Sequence, residues 1–255
     1  MSPRVVVGIA GGSAAGKSAL TSALAAALQR LHQRRVHILT TDRYMQKDRS
    51  IGPTFFSQAT GTHMFDANHP DAIAWNHVLR DLDDLLQQID GPEVILVEGH
   101  LLLHESTVRA RLDIRFFVEL DADERALRRL LRDMQGGRAN RDPHFIATYY
   151  RESTRVGHTR YIEPSRVYAD LIVRGDAVWE RIEPFLVAII EARLAHTDPH
   201  NQPTGQAEHV AKGSQRPTHV LTCEKYTYKT NCGVIPHRRP MIRRASIPGG
   251  SFASG

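Results

Sequence analysis

Cysteine is nearly absent from this chain, since its 255 residues include only Cys223 and Cys232. Two cysteines late in the sequence cannot form the disulfide framework on which small secreted domains depend, so that class is excluded. Long apolar runs are missing as well, and none approaches the roughly 18 residues of a membrane-spanning helix. Residues 1–4 lead directly into an apolar run rather than into a signal-peptide pattern. We therefore expect a cytoplasmic protein without a membrane segment.

An excess of charge of one sign is absent from most of the sequence. Residues 1–195 carry 25 Lys and Arg against 25 Asp and Glu, so the net charge of +5 comes entirely from residues 196–255. A broad basic surface is the electrostatic mark of nucleic-acid binding, and a short basic run is usually just solvated. The sequence therefore gives little support for a nucleic-acid partner.

Residues 196–255 have little hydrophobic periodicity and hold six of the thirteen prolines. Such a segment buries too little apolar surface to offset the entropy cost of ordering it. We predict a folded domain over residues 1–195 and a basic, disordered tail over residues 196–255. Zinc binding in the tail stays open as an alternative, through His219, Cys223, Cys232 and His237. The spacing of these four residues fits no common zinc module.

Short apolar runs alternate with helical patterns along residues 1–195. The apolar runs predict strands at 4–10, 36–39, 94–97, 114–118 and 171–173. Unbroken apolar strands are typical of a parallel sheet that is covered on both faces. We therefore predict an α/β protein with three layers, α/β/α, around a mostly parallel sheet.

The spacing of apolar residues predicts the helices between these strands. They are expected at 19–31, 71–89 with Asp71 as cap, 122–134 with Asp121 as cap, 143–158 and 178–194, and Leu31, Phe185 and Ile189 are expected to face inward. A connector is expected at 161–165. Residues 43–70 lack clean periodicity and contain Gly52-Pro53 and Gly61, which predicts a long loop.

The first predicted strand and helix flank the sequence Gly11-Gly12-Ser13-Ala14-Ala15-Gly16-Lys17-Ser18, which Ala19 follows. It matches the P-loop pattern in the strand-loop-helix context that the pattern requires. Glycines let the backbone N–H groups of such a loop curl around phosphates at the positive end of a helix. We expect residues 11–19 to bind ATP, Lys17 to reach its β- and γ-phosphates, and Ser18 to ligate Mg²⁺.

Two acidic residues follow strands that should end beside the P-loop. Asp42 comes after the strand at 36–39, and Glu98 comes directly after the strand at 94–97. Open parallel sheets bind ligands at the carboxyl ends of their strands. Glu98 resembles the Walker B carboxylate that helps to hold Mg²⁺. Asp42 suits a base that deprotonates an attacking hydroxyl, and a turn-capping or metal-orienting aspartate is the alternative.

Arginines cluster after the fourth predicted strand, at Arg125, Arg128, Arg129 and Arg132, and Gly136-Gly137-Arg138 follows them. Guanidinium groups stabilise the charge on a transferring phosphoryl group, and a segment that ends in glycines can close over it. We therefore predict an Arg-rich helical lid. A solvated helix face with exposed arginines is the alternative.

The order of these motifs resembles that of the uridine kinase and phosphoribulokinase family of P-loop kinases over residues 5–195. Besides the P-loop, the resemblance rests on Thr41-Asp42-Arg43-Tyr44, Phe65-Asp66, His69-Pro70-Asp71-Ala72, Val97-Glu98-Gly99, Phe117-Val118, Asp121-Ala122-Asp123, Arg128-Arg129-Leu130-Leu131-Arg132-Asp133 and Tyr168-Ala169-Asp170-Leu171-Ile172. It implies a P-loop NTPase fold and a kinase that uses ATP and Mg²⁺ to phosphorylate a hydroxyl group of a small molecule.

The resemblance also implies roles for individual residues. Catalysis would involve Lys17, Asp42 as the base, Arg132 and Arg138, and Mg²⁺ would be held by Ser18 and Glu98. Uridine kinases place an acidic residue that contacts the ribose directly before His-Pro-Asp-Ala, and Asp66 or Asn68 would take that place here. The implied acceptor-binding residues are Asp42, Tyr44, Asp66, Asn68 and His69.

One departure from the family bears on the acceptor. Uridine kinases carry a hairpin with Tyr-Asp-Phe and His-Ser-Arg signatures before the Walker B strand, whereas residues 87–92 lead directly into Val94 here. The resemblance favours the 5′-hydroxyl of uridine or cytidine as acceptor. Nicotinamide riboside, pantothenate or a sugar phosphate is the alternative within the family, and a nucleotide-dependent regulatory switch is the alternative outside it. A homo-oligomer is compatible with the sequence.

Overall fold

Five parallel strands form the central sheet. The computed structural model describes residues 3–46, 48, 51–137 and 140–197, and its sheet consists of β1 (Val5–Gly11), β2 (Val36–Thr40), β5 (Val94–Glu98), β6 (Ile114–Glu119) and β7 (Leu171–Arg174). A separate hairpin consists of β3 (Thr54–Ser57) and β4 (Thr62–Phe65). The order across the sheet is β2-β5-β1-β6-β7, and every neighbouring pair is parallel. The five strands predicted from apolar runs and the α/β class are confirmed.

Side chains of β1 alternate between two apolar cores, one on each face of the sheet. Val5, Val7 and Ile9 belong to one core, whereas Val6 and Ala10 belong to the other. Successive side chains of a strand point to opposite faces, so a strand covered on both sides needs apolar residues at every position. This alternation explains the unbroken apolar run and confirms the three-layer arrangement.

Helices cover both faces of the sheet. They are α1 (Lys17–His32), α2 (Trp75–Gln87), α3 (Ser106–Arg109), α4 (Ala122–Arg132), α5 (Pro143–Tyr149), α6 (Arg155–Gly157), α7 (Glu163–Ser165) and α8 (Trp179–Thr197). Helices α1 and α8 pack into the core that contains Val5, and α2 and α3 pack into the core that contains Val6. Within the part of the chain that the structure describes, no helix is both long and apolar enough to cross a membrane.

The segment from α5 to β7 is more continuous than expected. Wider helical turns join α5, α6 and α7, so the predicted helix at 143–158 extends further and the predicted connector at 161–165 is itself helical. The joining turns are π-helical, at Tyr150–Thr154 and His158–Ile162, and a tighter 3₁₀ turn at Arg166–Tyr168 follows α7. After α4 the chain continues over Asp133–Gly137 with a kink at Gly136, whose φ is +96°.

The expected long loop at 43–70 is wrong in one respect, because it contains the hairpin β3–β4. The two strands pair antiparallel, with Thr54 opposite Phe65. Gly61 has a φ of +66° at the turn, a conformation that glycine adopts without strain. Threonine and phenylalanine are common in strands, but strands of four residues are too short for alternation to stand out in the sequence.

Three apolar residues that were expected to face inward are exposed. Leu31 is 70% exposed in the last turn of α1, and on α8 Phe185 is 72% and Ile189 is 40% exposed. The buried stripe of α8 runs instead through residues spaced four apart, Leu186, Ile190 and Leu194. A helix with apolar residues on several faces has no unique inward stripe in its sequence, so the position of the sheet decides which face is buried.

Some element boundaries also differ from the prediction. Helix α2 begins at Trp75, because Asp71 lies in a separate 3₁₀ turn, Pro70–Ala72. Asp121 precedes α4 as expected, but its side chain makes no capping hydrogen bond. Helix α8 continues to Thr197. Residues 198–255 lie outside the described residues, so the basic tail and its cysteine and histidine set stay predictions.

Leu24→Ala should destabilise the domain by about 3 kcal/mol, because Leu24 is fully buried in the core between α1 and the sheet. Leu31→Ala on the same helix makes the same chemical change at an exposed position and should cost less than about 0.5 kcal/mol. Urea unfolding of both variants measures the difference. Equal losses of stability in the two variants would contradict the burial that separates them.

Candidate active site

The P-loop folds between β1 and α1 as its motif requires. Gly11 has a φ of +140°, and a Cβ atom there would lie 2.3 Å from the carbonyl oxygen of Val118 in β6. Gly16 has a φ of +106° directly before Lys17, the first residue of α1. Residues other than glycine rarely adopt such positive φ angles. The loop therefore lies at the positive end of α1, where backbone N–H groups bind phosphates.

The side chain of Lys17 reaches from α1 back to the loop, where its Nζ donates a hydrogen bond to the carbonyl oxygen of Gly12 at 2.9 Å. Burial lowers the pKa of Lys17 to about 8, while the nearby carboxylates of Asp42 and Glu98 oppose this shift. The two acidic strand ends therefore favour a cation at the centre of the site, where it can meet the phosphates of a nucleotide.

Glu98 is a buried carboxylate at the end of β5. Its oxygens accept hydrogen bonds from the hydroxyl groups of Ser18 at 3.2 Å, Thr21 at 3.3 Å and Thr40 at 3.1 Å. The structure thus brings together Ser18 and Glu98, the pair expected to hold a metal ion. Hydroxyl and carboxylate oxygens are the ligands that Mg²⁺ prefers. No group of three or more His, Cys, Asp and Glu in the described residues could hold a metal ion by itself.

Asp42 lies in a 3₁₀ turn directly after β2 and faces His100, a buried residue that was not among those predicted. Asp42 Oδ1 lies 3.9 Å from His100 Nδ1. His100 Nε2 lies 3.2 Å from the carbonyl oxygen of Ala67, which can only accept, so Nε2 carries the hydrogen. Burial lowers the pKa of His100 to about 4. The imidazole beside Asp42 is therefore neutral at pH 7.

The lid arginines approach the P-loop from α4. Arg129 Nη1 donates to the hydroxyl of Ser13 at 3.0 Å. The buried carboxylate of Asp133 lies 3.5 Å from Arg129 Nε and 2.8 Å from Arg132 Nη2. These two guanidinium groups are thus held beside the phosphate-binding loop. Arg138 lies outside the described residues, and its role stays a prediction.

The other two arginines of α4 have partners in the domain. Arg125 is buried and donates to the carbonyl oxygen of Leu120 at 3.0 Å. Arg128 bonds Glu124 one turn earlier on the helix at 2.7 Å and the carbonyl oxygen of Gly175 at 3.0 Å. Arg125 therefore serves the packing of α4, while Arg128 also lines the cavity described next.

One cavity of about 680 Å³ brings these groups together. Its polar lining includes Ser13, Lys17 and Ser18 of the P-loop, Asp42, Glu98, His100 and three arginines of α4, Arg128, Arg129 and Arg132. Its apolar lining comes from the turn after β2, from the hairpin and from α5: Met45, Met64, Phe65, Ala67, Phe145, Ile146 and Tyr149. The cavity therefore combines a phosphate-binding part with a wall suited to an apolar or aromatic group.

Two of the residues expected to contact the acceptor lie next to this wall. Asn68 lines the cavity, and its amide donates to the hydroxyl of Ser153 at 2.7 Å. Asp66 lies outside the lining and accepts hydrogen bonds from the same Ser153 hydroxyl at 2.7 Å and from the backbone N–H of Asn68 at 3.0 Å. Both side chains thus hold the hairpin against the helical segment after α5.

Tyr44 and His69, which were also expected to contact the acceptor, are not part of the cavity lining. The hydroxyl of Tyr44 donates to Asp81 of α2 at 2.8 Å, and burial raises the pKa of Tyr44 to about 12. His69 Nδ1 accepts from the backbone N–H of Asp71 at 3.2 Å and so caps the 3₁₀ turn. Both side chains therefore bond to residues outside the cavity lining.

The apolar wall was missed because its members come from separate segments. Phe65 belongs to the unpredicted hairpin, and Tyr149 belongs to α5. A weak signal was available for the hairpin, since Gln58-Ala59-Thr60-Gly61 separates two short runs that contain threonine and phenylalanine. No local signal marked His100, because it meets Asp42 only in the folded domain.

The parallel sheet, the P-loop with its buried lysine and the carboxylate that meets the P-loop serine define the class of P-loop kinases. A model of the phosphoribulokinase/uridine kinase family matches residues 74–178. A uridine kinase of Chloroflexus aurantiacus is 34% identical over 214 residues, which cover 76% of this chain and 97% of that protein. A uridine kinase of Deinococcus deserti is 32% identical over 189 residues, covering 66% and 86%.

The chain therefore belongs to the phosphoribulokinase/uridine kinase family. It is an ATP-dependent phosphotransferase that acts on a hydroxyl group of a small molecule. A solved structure, that of a candidate fructose transport system kinase from Silicibacter sp. TM1040, has a TM-score of 0.54 and 19% identity and covers 68% of this chain and 91% of its own. That likeness supports the fold alone.

Gly99→Ala should lower turnover about tenfold or more, because the new Cβ would lie 2.1 Å from Thr41 Oγ1 and displace the turn that carries Asp42. Thr41→Ala alone should be nearly silent, since its buried hydroxyl has no hydrogen-bond partner among the residues that the structure describes. The double variant should regain most of the lost turnover, because Thr41 would then retain only its Cβ near the new methyl group. Steady-state kinetics and circular dichroism of the three variants test this. A double variant as inactive as Gly99→Ala would contradict the proposed clash.

Proposed function

We propose that the enzyme transfers the γ-phosphoryl group of ATP to a hydroxyl of a nucleoside, with the 5′-hydroxyl of uridine or cytidine as the first candidate. The observation that carries this proposal is the single cavity that combines phosphate-binding groups, the Asp42 carboxylate and an apolar wall. The full-length similarity to uridine kinases supports a nucleoside as the acceptor.

The donor part of the cavity would bind the triphosphate through the P-loop backbone, Lys17 and the lid residues Arg129 and Arg132. Ser18 and Glu98 would hold Mg²⁺, since their oxygens lie 3.2 Å apart and fit an oxygen-ligated cation. When bound, Mg²⁺ neutralises charge on the β- and γ-phosphates. Phosphoryl transfer needs little covalent help from the protein, so these positioned charges would supply most of the catalysis.

Asp42 would act as the base toward the acceptor. Its carboxylate takes the proton of the attacking hydroxyl while that oxygen forms a bond to the γ-phosphorus and ADP leaves with the bridging oxygen. The neutral imidazole of His100 beside it adds no charge of its own. The Asp42 carboxylate also attracts the Lys17 ammonium and raises its pKa, so the proposed base and the proposed phosphate-binding cation stabilise each other's charge.

The apolar wall favours an acceptor with a planar ring. Phe65, Phe145 and Tyr149 offer aromatic surface, and Met45 and Met64 offer adaptable thioethers. A pyrimidine or pyridine ring can stack on such a surface. The phosphate group that a sugar phosphate already carries would instead lose its hydration against this surface. The proposal therefore favours nucleosides over sugar phosphates.

A second candidate acceptor is nicotinamide riboside or another metabolite of the family. Its specific support is the short connection between α2 and β5, which leaves out the hairpin that carries the base-contacting signature of uridine kinases. A nucleotide-dependent switch is the candidate from another class. It predicts turnover that depends on a macromolecule rather than on a small acceptor.

The direct test is ADP release by the full chain with ATP, Mg²⁺ and a panel of acceptors: uridine, cytidine, nicotinamide riboside, pantothenate and a sugar phosphate. Uridine or cytidine should raise ADP release about tenfold or more above the protein alone, and EDTA should abolish the increase. Mass spectrometry of the product identifies the phosphorylated hydroxyl. If no acceptor on the panel raises ADP release, the proposal fails.

Asp42→Asn should lower kcat about 100-fold or more and leave ATP binding unchanged, because the amide cannot take the hydroxyl proton. Asp71→Asn is the matched control, since its side chain is 82% exposed and should have no effect on kcat. Single-turnover kinetics measure the chemical step, and fluorescence titration with an ATP analogue measures binding. Near-normal transfer by Asp42→Asn would remove Asp42 from the role of base.

A further inference from the structure

Tyr149 occupies the junction between the apolar wall and the lid. It is the last residue of α5, lines the cavity and has no role in the reaction steps above. Its hydroxyl group and its ring contact both the hairpin and Arg129 of α4. This combination points to a role beyond ordinary packing.

The hydroxyl of Tyr149 makes two hydrogen bonds to the main chain at the end of the hairpin. It donates to the carbonyl oxygen of Phe65 at 3.0 Å and accepts from the backbone N–H of Ala67 at 3.0 Å. A phenol has one hydrogen to donate and lone pairs to accept, so both bonds form at once. The main chain is therefore fixed on both sides of Asp66.

These bonds matter because the hairpin has little internal support. Its strands have four residues each, and an isolated two-stranded hairpin is marginally stable in water. The Tyr149 ring also packs on Phe55 of β3 in an edge-to-face arrangement, with ring centroids 5.5 Å apart at 75°. Tyr149 therefore acts together with the Ser153 contacts of Asp66 and Asn68 to hold Phe65 and Met64 in the cavity wall.

The same ring contacts the lid. The guanidinium carbon of Arg129 lies 5.7 Å from the ring centroid of Tyr149, within the range of a cation–π interaction. Arg129 also donates to Ser13 in the P-loop and approaches Asp133. A continuous set of contacts therefore runs from the hairpin through Tyr149 and Arg129 to the phosphate-binding loop.

We propose that Tyr149 is a positioning residue that sets the acceptor wall relative to the donor site. Its hydroxyl holds the hairpin, and its ring supports Arg129 at the P-loop. The inference rests on the proposed function of the cavity and deepens it. The two roles are separable, because removing the hydroxyl loosens the wall while removing the ring also disturbs the lid arginine.

Tyr149→Phe should raise the KM for the acceptor about tenfold and leave kcat and the KM for ATP nearly unchanged, since two hydrogen bonds are lost and the ring stays. Tyr149→Leu should also lower kcat about tenfold, because Arg129 loses its aromatic surface. Tyr150→Phe is the matched control. Its hydroxyl donates to the carbonyl oxygen of Ala122, away from the hairpin, and its loss should leave both KM values within about twofold.

Hydrogen–deuterium exchange of residues 54–65 tests the same inference without an acceptor. The amides of the hairpin should exchange about tenfold faster in Tyr149→Phe than in the wild type or Tyr150→Phe. Faster exchange without turnover of any acceptor supports the positioning role and overturns only the proposed function. Unchanged exchange, or equal rises in the KM for ATP and for the acceptor, would overturn the inference.

Discussion

The hydrogen bonds to the Glu98 carboxylate are the interaction on which the donor site depends. One buried group receives hydroxyls from Ser18 and Thr21 of α1 and from Thr40 of β2, so it joins three elements that converge at the carboxyl edge of the sheet. A buried carboxylate without such partners would be strongly destabilising. The hydroxyls offset that cost, and they hold Ser18 beside the Glu98 carboxylate.

The apolar wall of the cavity is built on a different principle. It comes from the hairpin β3–β4 and from α5, which are far apart in sequence and meet through side chains rather than through the central sheet. Tyr149 and Ser153 supply the hydrogen bonds that join them. Because such a wall can change without disturbing the sheet, a P-loop kinase can keep its phosphate chemistry while its acceptor changes.

The strands and the P-loop were predictable because their signals are local. The apolar run at β1 reflects a strand covered on both faces, and the P-loop glycines sit where the structure needs φ above zero, at Gly11 and Gly16. Predictions failed where burial depends on a partner. Phe185 looked like an inward residue of α8, yet the sheet lies against the stripe through Leu186, so Phe185 is exposed.

The amino-acid sequence by itself determined the α/β class, the phosphate-binding loop and the acidic strand ends at Asp42 and Glu98, since each depends on residues adjacent in the chain. Only the tertiary structure decided which side chains line the cavity. It turned Tyr44 toward α2, set His100 beside Asp42 and brought Tyr149 to the hairpin. The physical reason is that a cavity wall is formed by contacts between distant segments, which no local pattern encodes.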